Sequence, residues 1–269
     1  MRPVAVIPAK NEEKKLPYTL TTLKKLNLSK IIVIVNGCND RTLEAALAQG
    51  PPVEVIYFPE ALGYDVPRAI GAAYALDLGA LGVLFIDADM TGPLEGILED
   101  ILQGITENTD MALVNCYPHI TFRDSFVSFT LFFRELLNRK LGLFHKIGLA
   151  SPSHGPHAIS NNFLKNIPLA ALAKPPVSMA LASLQNLIIK VHAAFPHISL
   201  GSTIRNFDHA EKISHTIIGD CLEALNIVKG TKISRSYLNM TYDGYNSLRR
   251  FDILDDVFKR KRELVIFRG

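Results

Sequence analysis

The sequence predicts an α/β protein with a mostly parallel central sheet flanked by helices. Three observations carry that prediction: short Val- and Ile-rich runs, helical segments alternating with them, and polar loops recurring at one end of the runs. The runs are Val4 to Pro8, Ile31 to Val35, Val53 to Phe58, Val83 to Ile86 and Met111 to Asn115. Continuous apolar runs of this length suit strands buried on both faces. Between them, helices are predicted over Glu12 to Leu26, Arg41 to Gln49, Val66 to Leu78 and Pro93 to Ile105. Strands and helices alternating at this interval imply parallel pairing through right-handed crossovers.

Composition narrows the function classes. The 269 residues are 48% hydrophobic and 20% charged, which excludes a disordered or fibrous chain. The longest apolar stretch, Leu78 to Ile86, is less than half the roughly 20 residues a bilayer span needs, so no membrane span is expected. A charged run directly follows Pro8, so the N-terminus is not read as a signal peptide. A net charge of +3 does not argue for nucleic acid. The one dense basic run, Lys259 to Arg262, is read as a solvated helix face, with a phosphate or membrane contact as the sharper alternative. Cys38, Cys116 and Cys221 are odd in number and far apart, so neither a disulfide framework nor a zinc site is expected, and a reducing cytoplasm fits.

Open parallel sheets bind ligands beyond the carboxyl ends of their strands. Three polar loops fall there: Pro8-Ala9-Lys10-Asn11-Glu12-Glu13, Asn36-Gly37-Cys38-Asn39-Asp40-Arg41-Thr42 and Asp87-Ala88-Asp89-Met90. Taken alone, the second is an Asn-Gly corner with Asp40 capping a helix. Asp87 and Asp89 are harder to explain structurally. Two carboxylates at i and i+2 on a strand face one side, and their repulsion calls for a cation between them. Mg²⁺ or Mn²⁺ would supply it and complete its shell with substrate phosphates.

These loops, with Gly63-Tyr64-Asp65-Val66-Pro67-Arg68-Ala69-Ile70-Gly71 between the second and third, resemble the family 2 glycosyltransferases of the GT-A fold. The resemblance is firm over residues 3 to 115 and looser to about 229, where it is most similar to the branch of glucosyl-3-phosphoglycerate and mannosylglycerate synthases. It implies a metal-dependent transfer of sugar from a UDP- or GDP-linked donor to a small, possibly anionic, acceptor. It further implies that Pro8, Ala9 and Glu12 or Glu13, with Asn36 and Gly37, line the nucleotide pocket. Asp40 would contact the base, Asp87 the ribose, and Asp89 the metal, Asp87 and Asp89 being the catalytic pair. Arg68 would lie beside the diphosphate or its supporting carboxylates. Tyr64 and Asp65 stand where the family usually has a Lys after the first Gly.

The acceptor side is expected from the second half. Ser151 to Ser160 falls where relatives carry a Gly-containing acceptor loop, which makes His154, Gly155 and His157 acceptor candidates, the histidines being alternatively loop-surface residues. The stretch Ile198 to His209 resembles the segment from which the synthase branch takes a third metal ligand. His209 is the candidate there, His215 the runner-up, and Arg205 a further acceptor contact. Pro175 to Ser183 has no acid where relatives place one. That absence argues against an ordinary inverting mechanism and makes retention of anomeric configuration the more economical reading.

Phe122, Phe126, Phe129, Phe132 and Phe133 mark an aromatic helix from about Arg123 to Leu143, read as core or dimer contact, or as a groove for a lipid-linked acceptor. A second helix is expected over Ala210 to Lys229. Residues 1–229 are treated as one catalytic domain, a nucleotide-sugar half to 115 and an acceptor half beyond, with 230–269 as a C-terminal extension. A homodimer is expected. A sugar-phosphate nucleotidyltransferase and a catalytically impaired nucleotide-sugar-binding protein are the alternatives; the first lacks a Gly-rich basic loop after the opening strand.

Overall fold

Alternate residues of the first strand enter two different cores, which is why the run is apolar throughout. In β1 (Val4–Ala9), Val4 and Val6 pack into one hydrophobic cluster while Ala5, Ile7 and Ala9 pack into the other. The same division holds in β2 (Lys30–Asn36): Ile32 and Ile34 face one way, Ile31, Val33 and Val35 the other. The computed structural model describes residues 2–119, 125–202 and 206–268.

Between these strands lies α1 (Leu16–Leu23), and after them come α2 (Thr42–Leu47), β3 (Val53–Phe58), α3 (Val66–Asp77), β4 (Gly82–Phe85), α4 (Glu95–Thr106) and β5 (Met111–Asn115). The five strands and four helices read from the sequence are therefore present. Helix α1 begins four residues later than expected, because the backbone N–H groups of Glu12 and Glu13 donate to Thr42 Oγ1 (2.7 Å) and Asp40 Oδ2 (3.2 Å) instead of entering a helix. The second half contains α5 (Ser125–Lys140), α6 (Phe144–Ile147), β6 (His157–Ser160), α7 (Asn161–Asn166), α8 (Pro175–Leu184), β7 (Ile189–Ala194) and α9 (Phe207–Lys229). A two-stranded ribbon, β8 (Ser236–Tyr237) with β9 (Met240–Thr241), then precedes α10 (Phe251–Phe258) and β10 (Val265–Arg268). Strong caps mark two starts. Ser160 Oγ accepts from Phe163 N at 3.1 Å, and Asn206 Oδ1 from His209 N at 2.8 Å.

The main sheet runs β10-β3-β2-β1-β4-β6-β5-β7. Pairings β1·β2, β2·β3, β1·β4 and β5·β7 are parallel. Strand β6 is inserted antiparallel between β4 and β5, and β10 closes the far edge antiparallel to β3. The first half is thus a doubly covered parallel sheet, and chain from the second half completes both of its sides.

Helix α8 corrects one inference. The acid-free segment Pro175 to Ser183 does not reach the candidate site: it is helical, with Pro175 to Ala180 and Ala182 buried in the core against α9. Its lack of an acid reflects core packing.

Residues 230–269 are fastened by buried charge. Arg249 donates Nη1 to Asp220 Oδ1 (2.8 Å) and Nη2 to Asp220 Oδ2 (2.7 Å), a bidentate pair. Arg235 Nη1 donates to Asp220 and to Glu223, both at 2.7 Å, and Lys174 donates to Glu223 at 2.6 Å. Charges buried this deeply persist only when paired. Together they bind the segment to α9 and bring Tyr245 to Arg250 over the carboxyl ends of the strands.

Candidate active site

A cavity of about 850 Å³ opens at the carboxyl ends of β1, β2 and β4. The β1 loop contributes Pro8, Ala9 and Glu12, the β2 end Asn36, and the segment after β4 Asp87, Ala88 and Asp89. Asn36 holds this corner together: its Nδ2 donates to Ala9 O (3.3 Å) and its Oδ1 accepts from Leu62 N (3.1 Å). Gly37, at φ +53°, lies so close to Ala61 that a Cβ would fall 2.6 Å from the Ala61 backbone.

Asp40, Glu13 and Gly37 stand behind this wall and do not line the cavity. Asp40 Oδ1 accepts from Thr42 N (3.0 Å) and Thr42 Oγ1 (2.5 Å), while Glu13 Oε2 accepts from Arg41 N (3.0 Å). Burial pushes the Asp40 carboxyl up, but the bonds from Thr42 and Glu13 outweigh it and hold the pKa below the usual range. The arrangement is a reciprocal clasp between the β1 and β2 loops.

Asp87 and Asp89 lie on a turn rather than on a strand. Strand β4 ends at Phe85, and Met90 N donates back to Asp87 O at 3.2 Å. The cation beside Asp87 is Arg68, whose Nη2 donates to Asp87 Oδ1 and whose Nη1 donates to Asp65 Oδ1, each at 2.5 Å. The repulsion that the sequence assigned to a metal is therefore met, for Asp87, by a guanidinium. Asp89 has Ser202 Oγ as a donor at 3.3 Å, and its pKa is raised by burial and by Asp87. Arg68 in turn is bound into the C-terminal segment through Asp65, which accepts from Arg249 Nη2 at 3.4 Å.

His209 lines the same cavity, from the first turn of α9, and its Nδ1 lies 2.7 Å from the Tyr245 hydroxyl. Tyr245 stacks on Tyr64 with ring centroids 5.9 Å apart. His215, on the next turns, packs edge-on to Tyr242 and does not reach the cavity. Among the described residues, no group of three or more His, Cys, Asp or Glu side chains is gathered tightly enough to hold a metal alone. A hard ion completed by diphosphate oxygens needs only one or two protein carboxylates, and an oxygen donor set led by Asp89 fits Mg²⁺ or Mn²⁺.

The remaining candidates divide. His154 and Gly155 line the cavity. His157 is placed away from it: it lies in β6, 3% exposed, with its ring 5.0 Å from that of Phe85. Burial and the charge of Arg68 pull its pKa down to about 3, so it is a neutral core residue. Arg205, Phe122 and Arg123 lie outside the described residues. The aromatic helix splits its faces: Phe133 is buried, Phe126 lines the cavity, and Phe129 and Phe132 are exposed.

Tyr117, Ser202 and Tyr245 line the cavity without having been singled out in the sequence, and Arg134, which the sequence placed only as a flank of the aromatic helix's possible groove, lines it too. Tyr117 stacks on His154 and His197, with centroids 5.4 and 6.0 Å away. Arg134 donates Nη2 to Ser153 Oγ at 3.3 Å, and Ser202 and Tyr245 are described above. Only the placing of Arg134 on a helix was available from the sequence; its burial was not.

The model of glycosyl transferase family 2 matches residues 4–163, which include β1 to β6 and the polar loops after β1, β2 and β4. The chain belongs to glycosyl transferase family 2. The chain has the fold of glucosyl-3-phosphoglycerate synthase from Mycobacterium tuberculosis. It superposes on the complex of that enzyme with Mn²⁺, UDP and phosphoglyceric acid at a TM-score of 0.63 and 19% identity, covering 88% of this chain and 81% of that one. On the complex with Mg²⁺ and UDP the values are 0.63 and 18%, covering 88% and 82%. In sequence it is 32% identical over 125 residues to 4,4'-diaponeurosporenoate glycosyltransferase of Staphylococcus haemolyticus (strain JCSC1435), an alignment covering 44% of this chain and 32% of that one. The chain thus spans about a third of that curated relative.

Proposed function

We propose that this glycosyltransferase uses a nucleoside diphosphate sugar, with a divalent ion at Asp89, and transfers the sugar to a small acceptor bound in the part of the cavity between α5 and α9. The observation that carries this reading is the convergence of Pro8, Ala9, Asn36, Asp87 and Asp89 on one cavity. Apolar and amide groups at one end suit a base and ribose, and a carboxylate with a raised pKa at the other suits a cation and the phosphates behind it. The solved neighbours in complex with UDP favour uridine as the base.

The bound metal would act as a Lewis acid on the diphosphate, stabilising charge on the leaving group. The chain's own residues do the rest. Asp89 would hold the cation, and His209 is the candidate second ligand, its Nδ1 beside the Tyr245 hydroxyl as ligating imidazoles are commonly oriented. Arg68 holds Asp87 in place through a charged hydrogen bond, where a ribose hydroxyl can donate to its free oxygen. The walls from α5 and α9 exclude water, which otherwise competes with the acceptor. Cavity carboxylates are limited, among the described residues, to Glu12, Asp65, Asp87 and Asp89. Asp65 and Asp87 are held by Arg68, Asp89 is assigned to the metal, and Glu12 belongs to the β1 loop on the nucleotide side. With no carboxylate committed to the acceptor, the proton is assigned to the departing phosphate oxygen, which is a retaining mechanism.

Thermal shift with UDP and GDP, each with and without Mn²⁺, tests the donor reading. Stabilisation by either nucleotide only when Mn²⁺ is present supports it, and no stabilisation by either refutes it.

A further inference from the structure

The acceptor end of the cavity contains a charge that nothing in the fold explains. Arg134, on α5, is 2% exposed, yet among the described residues no carboxylate pairs with it. Among the described residues its only hydrogen bond is the one to Ser153 Oγ, and its Nε is buried without a partner. A buried guanidinium costs several kcal/mol in desolvation unless an anion compensates it. Every other deeply buried arginine here has such a partner: Arg68 has Asp65 and Asp87, and Arg249 has Asp220.

The surroundings of Arg134 amplify the point. His154 and His197 lie with ring centroids 4.7 Å apart, and His154 Nε2 and His197 Nδ1 are both buried without hydrogen-bond partners. Burial and the Arg134 charge push both pKa values down, so both imidazoles are neutral and neither relieves the need for an anion. Next to this polar floor, the walls are apolar: Phe126 and Val127 from α5, Ile213 and Ile217 from α9.

We infer that Arg134, with Ser153 and His154, forms an oxyanion subsite for the acceptor, and that the acceptor is an amphipathic acid whose apolar body lies between α5 and α9. The inference rests on the donor reading only in calling the occupant an acceptor. The guanidinium fork suits a carboxylate or a phosphate monoester, which share this chemistry. The apolar walls exclude a fully hydrated polyol acid as the best occupant, since it would lose water without burying apolar surface.

Direct binding separates these elements. Octanoate, octyl phosphate, octanol, acetate and inorganic phosphate are titrated into the full chain by calorimetry, and UDP with Mn²⁺ is titrated separately. Octanoate or octyl phosphate should bind at least about tenfold more tightly than octanol and than its own short counterpart, acetate or inorganic phosphate; the better of the two identifies the anion. Arg134→Met should remove the preference over octanol, Arg134→Lys should restore part of it, and neither should change UDP–Mn²⁺ binding. Equal affinity for octanol and both amphiphilic anions in the parent overturns the subsite, as does an unchanged preference in Arg134→Met. Acetate or phosphate binding as well as the amphiphiles overturns the apolar body. Failure of UDP–Mn²⁺ to bind the parent, with the anion preference intact, refutes the donor reading and leaves the subsite standing.

Discussion

Arg68 and Asp87 form a salt bridge of 2.5 Å at the mouth of the candidate active site, and Arg68 is the more buried of the two. Its side chain is 9% exposed against 34% for Asp87. Burial disfavours the guanidinium charge, but Asp87 and Asp65 outweigh that and raise its pKa. The pair therefore presents one carboxylate, fixed in orientation, to the cavity. Asp87 thus has a cationic partner within the fold, whereas the donor to Asp89 is the Ser202 hydroxyl.

Arg68→Met should cost about 3–5 kcal/mol of stability, because it leaves Asp65 and Asp87 as buried or half-buried charges facing a lost partner. Urea unfolding measures this. Arg68→Lys should recover only part, since one ammonium does not reproduce two separate guanidinium contacts.

Asp89→Ala should leave stability within about 0.5 kcal/mol, as its donor, the Ser202 hydroxyl, stands 3.3 Å away. It should remove the Mn²⁺ dependence of UDP binding. Asp40→Ala should do the converse: with the clasp between the β1 and β2 loops opened, nucleotide affinity falls while the metal requirement persists. Calorimetry with and without Mn²⁺ separates them, and tight, metal-dependent binding by Asp89→Ala would exclude it as a ligand.

Gly63→Ala tests the role of the C-terminal segment. Gly63 has φ +83°, and a Cβ there would stand 2.3 Å from Leu248 O. The Tyr245 to Arg250 segment must shift away, taking Tyr245 from His209 and Leu248 from the cavity wall. The expected result is weaker UDP–Mn²⁺ binding and faster proteolysis within residues 243–250, with the far-UV spectrum preserved. Unchanged binding would show that this segment does not shape the donor site.

His157 sets a pH dependence. Its folded pKa of about 3 lies below the unfolded value of about 6.5, so its contribution is fully present above pH 6.5 and is lost as pH falls toward 3. Between pH 7.5 and 5.0 the loss is about 2 kcal/mol. The unfolding free energy of His157→Leu should fall by about that much less than the parent's over the same interval. An identical pH slope in both proteins would show that His157 is not buried as a neutral ring.

The sequence was most informative where structure is local. Period and composition located β1 to β5 and their loops, since a strand buried on both faces must be apolar throughout. It was silent on what only distant pairing decides. Strand β10 joins β3 across some 200 residues, and no feature of Val265 to Arg268 announces that edge. The spacing of Asp87 and Asp89 suggested a shared cation, but not that α3 would deliver Arg68 to one of them. The Pro175 to Ser183 segment was misplaced because a resemblance in order does not fix which face of a helix meets the ligand. Arg134 was legible only as a flank of a possible groove on the aromatic helix, since a helical period shows that a residue lies on α5 while its burial depends on α9 and on the Ser151 to Gly155 loop.

The stereochemical outcome follows from which carboxylates reach the cavity. An inverting transfer needs a base on the acceptor hydroxyl, on the side opposite the leaving group. Asp208 and Glu211 are the nearest acids in sequence to the cavity face of α9, but that face consists of His209, Ala210, Ile213, Ser214 and Ile217, and neither acid lines the cavity. His154 and His197 do, with pKa values lowered by burial and by Arg134, which makes them weak proton acceptors. In the retaining reading, the acceptor oxygen bonds to the anomeric carbon on the face the diphosphate leaves, the anomeric C–O bond breaks with its electrons passing to the diphosphate, and the hydroxyl proton passes to that diphosphate oxygen. Asp208→Asn and Glu211→Gln should therefore leave kcat within about twofold of the parent. NMR of the first-formed product should show the anomeric configuration of the donor, and the opposite configuration, with a large loss in either variant, would return the base to α9.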